Sequence, residues 1–275
     1  MGKLYLVGTP IGNLGDLSPR AAEMLEQADF IAAEDTRVSI KLLNHLGIKK
    51  PLVSCHEHNI HEMSQKITQR ILAGETCAIV TDAGMPCISD PGEELVRSCH
   101  ALGIEVLSVP GPTAMATAAA LSGLATSRFT FEGFLSVNKS SRAEHLAQLK
   151  KEPRTMIFYE APHKLLRTLQ DLLDTLGNRE IAICRELTKL HEQTMRTTLA
   201  DALAHYQQTP PRGEFVLVIS GAEPEQETQI SFEQAVAMTR SLIADGQSPT
   251  MAAKSAAKET GYKKADLYKA AIAEE

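Results

Sequence analysis

LYLVGTPIGN, Leu4 to Asn13, decides how the rest of the chain is read. Its first half is an apolar run rich in strand-forming residues, and it empties directly into a glycine-bearing loop. Ser18 and Pro19 follow, an N-cap residue and a first-turn proline, and predict a helix through about Gln27. Strand, loop and helix in that order form the repeating unit of an α/β protein. The loop does not match the dinucleotide fingerprint G-x-G-x-x-G. Gly8 is followed by Thr9, Pro10, Ile11 and Gly12, and Pro10 has no N–H for a pyrophosphate. A phosphate-cradling loop ending in Lys-Ser/Thr is absent too. Alone, the loop reads equally well as a tight turn between strand and helix.

The same unit recurs along the first part of the chain. FIAA (Phe30 to Ala33) is a short buried strand that runs into EDTR. A helix with Leu42, Leu43 and Leu46 stops at Gly47. PLVS leads into CHEHN, and a helix with Met63, Ile67 and Ile71 on one face ends near Gly74. CAIVT empties into DAGMPCISDPG, where Asp90 and Pro91 are expected to cap a helix ending before Gly103. IEVLSVP then leads to GPTA and an alanine-rich helix. This rhythm predicts a mostly parallel sheet covered by helices on both faces.

A second α/β part begins after SGLATS, with FTFEGFL, TMIFYE, EIAICREL and EFVLVIS as strands. Between them, Pro162 to Leu176 carries leucines at 165, 166, 169, 172, 173 and 176, a stripe expected in the core. GAEPEQETQ, from Gly221, reads as a linker to a helical tail. The expected organisation is an N-terminal α/β domain over 1–123, a C-terminal α/β domain over 124–222, and a small helical, helix-turn-helix-like tail over 230–275.

Composition sets the outer limits. The 275 residues are 43% hydrophobic and 23% charged, as in an ordinary globular protein. No run approaches a membrane span, and MGKLYLVG moves into a strand without a signal-peptide pattern, which predicts a cytoplasmic protein with no membrane partner. The five cysteines include no C-x-x-C and read as incidental or buried thiols. A net charge of −6 argues against indiscriminate nucleic-acid binding while leaving room for a local basic surface.

In a parallel sheet, ligands bind where loops leave the carboxyl ends of strands. GTPIGN, EDTR, CHEHN, DAGMPCISDPG and PGPTA all occupy such positions. Together with LYLVGTPIGNLGDLSPRA, AAEDTR, FYEAPHKL and CRELTK, in that order from about Lys3 to Gly221, they resemble the small-subunit ribosomal RNA methyltransferases of the tetrapyrrole-methylase superfamily. The resemblance implies two α/β domains with the cofactor in the cleft between them, a homodimer, and S-adenosylmethionine as methyl donor. It implies a cytidine ribose 2′-oxygen in the decoding centre of 16S rRNA as acceptor, within the small ribosomal subunit. It places Pro10 along the methyl-transfer cleft, where relatives carry a G-x-G-x-G-D-like loop. It assigns Asp82, Gly84, Ile88, Thr113 and Ala114 to the cofactor, with Tyr159 and Leu187 closing from the second domain.

Transfer to a hydroxyl demands in-line positioning and a proton acceptor but no metal. His56 and His58 lead the candidate bases because their ordinary pKa lies near neutrality, with Glu34, Asp35 and Glu57 behind them. Arg37 suits a bidentate phosphate contact, and Lys189 is an RNA-contact candidate. The H-x-H pair admits a rival, a metal-dependent hydrolase, but no later His/Asp cluster completes such a site. Lys139 and Arg142 are further phosphate candidates. The tail offers Ser248 and Pro249 as a helix start, Gly261 as a turn, five lysines (254, 258, 263, 264 and 269), and Tyr262 and Tyr268 as base-stacking candidates. It sustains a third reading, a nucleic-acid-binding small-molecule sensor, beside a methyltransferase for a tetrapyrrole precursor.

Overall fold

The computed structural model describes residues 2–223 and 230–273, which form two compact units, 1–222 and 223–275. The larger unit opens with β1 (Lys3–Val7), α1 (Pro19–Gln27), β2 (Phe30–Ala33), α2 (Thr36–Leu46), β3 (Leu52–Ser54), α3 (Ile60–Leu72), β4 (Cys77–Val80), α4 (Glu93–Ala101), β5 (Glu105–Val109) and α5 (Ala114–Ser122). The five strands form a parallel sheet in the order β3-β2-β4-β1-β5. Every residue of β2 and β4 is buried, because helices cover both faces. Alternation along the strands sorts their side chains. Phe30, Ala32 and Ile79 pack with Ile67, Ile71 and Leu95 on one face, and Ile31, Ala33 and Val80 with Leu25 and Leu43 on the other. The punctuation is as expected: Ser18 accepts from the Ala21 N–H, and Gly47 ends α2 in the left-handed region at φ 72°.

The second half continues with β6 (Phe129–Phe134), α6 (Lys139–Leu149), β7 (Thr155–Glu160), α7 (Leu165–Leu176), β8 (Glu180–Arg185), β9 (Gln193–Thr198), α8 (Leu199–Gln208) and β10 (Phe215–Ile219). The sheet order is β6-β7-β10-β8-β9; β6 and β7 are parallel and every other pairing is antiparallel. Leu165, Leu169, Leu172 and Leu176 enter the core against Phe158 and Leu217, whereas Leu166 is exposed and Leu173 only partly buried. The other sheet face receives α5, whose Ala118 and Ala119 touch Ile157, Ala182 and Val218. This explains the alanine-rich helix: small side chains let it pack closely against the second sheet and tie the halves into one unit.

Several expectations are corrected. α4 starts at Glu93 with Gly92 as N-cap, at φ 134°, so Asp90 and Pro91 do not cap it. The strand β9 was not expected. Arg142 is buried and ion-paired with Asp171 at 2.6 Å, so it offers no phosphate contact, while Lys139 is exposed.

The smaller unit holds α9 (Phe232–Ala244), α10 (Pro249–Thr260) and α11 (Lys264–Ile272) around Ala235, Ala253, Ala256 and Leu267. α9 lies within the expected helical tail, and Ser231 and Gln234 form a capping box at its start. Ser248 is the N-cap of α10 but makes no side-chain capping bond, and Gly261 turns the chain at φ 75°. Tyr262 packs edge-on against Phe232 at 5.3 Å, and Tyr268 also lies against this small core. Both rings are half-buried against this core. Most of the linker, residues 224–229, lies outside the described residues. No helix among the described residues is long and apolar enough to cross a membrane.

Candidate functional site: a donor-sized cavity beside an open polar pocket

The strand order explains which loops meet. β1 lies between β4 and β5, so the loops leaving these three strands converge at one carboxyl end, where the chain order switches across the sheet. Thr9 and Gly84 exchange backbone hydrogen bonds of 2.9 and 3.2 Å, and Thr9 Oγ1 donates to the Thr81 carbonyl at 3.1 Å. Gly8 and Gly111 meet backbone to backbone; a Cβ on Gly111 would lie 2.8 Å from Gly8 Cα. β2 lies on the far side of β4, which brings Glu34 to Thr81: Thr81 Oγ1 donates to Glu34 Oε2 at 2.6 Å. β3 is the edge strand, so CHEHN arrives at the outer side of this cluster.

The convergence leaves a cavity of about 460 Å³ between the two halves. Asp82, Gly84, Ile88, Thr113 and Ala114 line it from the first half, and Tyr159 and Leu187 from the second. Pro10 does not line it; its neighbour Ile11 does. Sequence reasoning missed Phe134, Glu160 and Glu214, whose only signal is position at or beside strand ends, and Asp90, whose sequence context reads as a helix cap. Thr113 caps α5 by accepting from the Ala116 N–H. Tyr159 is fixed by edge contacts to Phe131 and Phe134, with centroids 5.0 and 5.6 Å away, and its hydroxyl oxygen accepts from the Met115 N–H at 3.0 Å. Tyr159→Phe removes that acceptor from a part-buried N–H and should lower unfolding stability by about 1 kcal/mol, read by denaturant titration.

Backbone strain flanks the cavity on both sides. Cys87 and Ser89 have φ 69° and 64°, and Glu186 and Thr188 have φ 51° and 66°. Left-handed conformations cost non-glycine residues energy and tend to persist where surrounding structure fixes a functional loop. Thr188 Oγ1 is buried with no partner among the described residues.

Glu34, Asp82 and Asp90 gather three carboxyl groups at one end of the cavity. Burial raises the Asp82 pKa, and the nearby Glu34 charge adds to it. Burial pushes Asp90 up to about 6, with Glu34 again adding and a hydrogen bond with Thr81 opposing. Apolar walls, small residues and an anionic end suit a nucleoside bearing positive charge, so the cavity fits S-adenosylmethionine, with its adenosine, sulfonium and ammonium groups. Its volume is also in the range of small-molecule sites.

A second, open pocket of about 780 Å³ adjoins the first and shares Glu34, Ser89 and Asp90 with it. His56, Glu57, His58 and Arg97 line its other side. The His56 and His58 rings meet edge-on at 5.8 Å; His58 is 83% exposed, and His56 Nδ1 is buried without a partner among the described residues. His61 lies 2.5 Å from Glu94. Among the described residues no group of three His, Cys, Asp or Glu is placed to hold a metal ion.

The remaining candidates sit around these pockets. Asp35 caps α2 by accepting from the Arg37 N–H at 2.8 Å and also binds the Arg37 guanidinium, which holds its pKa down to about 2. Arg37 is 88% exposed and reaches into solvent. Lys189 is tied to Glu186 at 2.9 Å and Glu214 at 2.7 Å; burial opposes its charge, but these two carboxylates raise its pKa overall.

Residues 3–203 match the family of Tetrapyrrole (Corrin/Porphyrin) Methylases. The chain is 50% identical over 273 residues to Ribosomal RNA small subunit methyltransferase I of Synechocystis, covering 99% of this chain and 98% of that one. It is 44% identical to the protein of the same name from Pseudomonas aeruginosa, covering 98% and 97%. Among solved structures, it resembles uroporphyrin-III C-methyl transferase from Thermus thermophilus complexed with S-adenyl homocysteine, with a TM-score of 0.58 at 18% identity, covering 80% and 97%. Diphthine synthase aligns with a TM-score of 0.61 at 13% identity, covering 80% and 90%. At such identities these two structures establish a shared fold.

Proposed function

We propose, from the premise that this chain belongs to the tetrapyrrole methylase family and within it to the ribosomal RNA small subunit methyltransferase I group, that it methylates a cytidine ribose 2′-oxygen in the decoding centre of 16S rRNA. S-adenosylmethionine is the donor, the assembled small subunit the substrate, and the cytoplasm the compartment. The observation that carries this reading is the pairing of a donor-sized cavity with an open polar pocket across a shared wall. A nucleotide projecting from a large RNA needs an open entrance, and the donor needs an enclosed one.

When bound, the cofactor supplies an electrophilic methyl group on a positively charged sulfur. The residues of this chain position the reactants. Asp82 and Glu34 present negative charge to the cationic donor, while Gly84, Thr113 and Ala114 allow close approach along the first half. Tyr159 and Leu187 close the cavity from the second. Asp35 orients Arg37, whose exposed guanidinium suits a phosphate of the incoming RNA. His56 and His58 contribute the outer wall of the acceptor pocket. Lys189, held by its carboxylates, stiffens the loop carrying Leu187. The exposed Lys254, Lys258, Lys263, Lys264 and Lys269 give the smaller unit a surface for RNA phosphates. We also propose a homodimer, in which the exposed apolar side chains of Val137 and Leu190, at 70% and 93% exposure, find cover.

The test offers labelled S-adenosylmethionine together with small subunits lacking the modification and, separately, a tetrapyrrole precursor. Label should enter the subunits and not the tetrapyrrole. The reverse result would transfer the chain to tetrapyrrole chemistry.

A further inference from the structure

We infer that Asp90, on the wall between the two cavities, is the catalytic base that accepts the proton of the attacking hydroxyl, with Thr81 and Glu34 as its positioning partners. This rests on the reading of the chain as a ribose methyltransferase. Three residues border both cavities, Glu34, Ser89 and Asp90, and methyl transfer must occur where donor and acceptor meet. His56 and His58 border only the open pocket. Ser89 has no basicity to offer at neutral pH.

Local structure aims Asp90 at this border. It is not consumed in capping α4, because Gly92 occupies that position. The preceding residues Cys87 and Ser89 and the following Gly92 all take positive φ, so the chain is held in a tight, strained course around it. Thr81 Oγ1 donates to Glu34 Oε2 at 2.6 Å, and the Thr81 hydroxyl also holds the Asp90 pKa down against burial and the Glu34 charge. Thr81 thus links the two carboxyl groups on this wall and favours the ionised Asp90 that a base requires before transfer.

The step balances. A lone pair of the ribose 2′-oxygen forms the O–CH3 bond, and the S–CH3 bond breaks with its electron pair retained by sulfur. The hydroxyl proton passes to an Asp90 carboxylate oxygen, and later to water through the open pocket. Asp90 must be ionised beforehand. The groups facing it are Glu34 and Asp82 from the ends of β2 and β4, Tyr159 from β7, Cys87 on its own loop and, across the open pocket, His56, Glu57, His58, Glu93, Glu94 and Arg97. With its pKa pushed up to about 6, the ionised form prevails above that value, so transfer should rise with pH through about 6 and level off.

The experiment compares the full-length chain with Asp90→Asn in single-turnover methylation of small subunits over pH, alongside calorimetric binding of S-adenosylhomocysteine. Saturated with donor, the variant should transfer methyl on the order of 100-fold more slowly, without the acid limb. A variant that keeps the parent's rate and limb would overturn the inference. If Asp90→Asn fails to bind, the parent's profile and Thr81→Val decide. A limb near 6 that moves upward in Thr81→Val, which loses the hydrogen bond favouring ionised Asp90, supports the inference; a flat profile overturns it. Parent protein that methylates no ribose at all refutes the functional reading and Asp90's role together, an outcome distinct from an active parent with an equally active variant.

Discussion

Gly111→Ala is expected to reduce methyl transfer by about 100-fold, because displacing reacting groups by about 1 Å can cost that much. The added methyl cannot be accommodated by a rotamer change. It would lie 2.8 Å from Gly8 Cα and 2.9 Å from Gly8 C, and both are backbone. Gly8 is in turn held by its N–H donating to the Val109 carbonyl at 3.0 Å. The loop after β1 or the loop after β5 must therefore shift. The first carries Ile11 and the second Thr113 and Ala114, all on the cavity wall. Overpacking of this kind also costs about 1–3 kcal/mol of stability. The checks are S-adenosylhomocysteine affinity and single-turnover rate. Parent-like values for both would mean that the close approach of Gly8 and Gly111 does not shape the site.

Arg142→Ala should be the most destabilising of the changes considered, by about 3 kcal/mol, the low end for breaking a buried ion pair because Asp171 retains some solvent. Arg142 is 4% exposed, and its Nε donates to Asp171 at 2.6 Å and its Nη2 to Thr168 Oγ1 at 2.8 Å. Thr168 donates onward to Glu160, whose other carboxylate oxygen accepts from the Ala161 N–H at 2.8 Å. Glu160 is itself 4% exposed and borders the cavity. Removing the arginine takes the buried cation out of this network, leaving Asp171 with the exposed Arg167 at 3.7 Å and the buried Glu160 with reduced compensation. The midpoint of thermal unfolding should fall by about 6–10 °C, given the size of the unit. Arg142→Met with Asp171→Asn should recover part of the loss, and a parent-like melting temperature for Arg142→Ala would contradict the argument.

Much of the fold was legible in local signals. Ser18-Pro19 marks the start of α1, Gly47 the end of α2, and the strand–loop–helix rhythm the parallel sheet. These features depend on a residue and its near neighbours. β9 lacked such a signal: QTMRTT contains a single large apolar residue and is held as a strand by pairing with β8. Arg142 read as a surface cation because its partner lies 29 residues away in sequence. α9 presents mostly small buried side chains, Ala235 and Thr239, instead of a leucine stripe. The candidate site divides in the same way. Loops at strand ends could be identified from sequence, and seven of the eight residues that the resemblance assigned to the cleft and cofactor border the cavity, Pro10 being the exception. The exchange of Pro10 for Ile11 depends on the Thr9–Gly84 bridge, which fixes which side chains of the loop face inward. Asp90 followed an N-cap pattern, and only the three-dimensional course around Gly92 frees it for the cavity wall.

The most direct measurement is the position of the transferred methyl. Small subunits lacking the modification are incubated with labelled S-adenosylmethionine and the protein, and nuclease fragments of the 16S rRNA are mapped by mass spectrometry. The expected product carries one new methyl on the ribose of a decoding-centre cytidine. A methyl on a base, on a nucleotide elsewhere, or on no part of the RNA would contradict the proposed reaction.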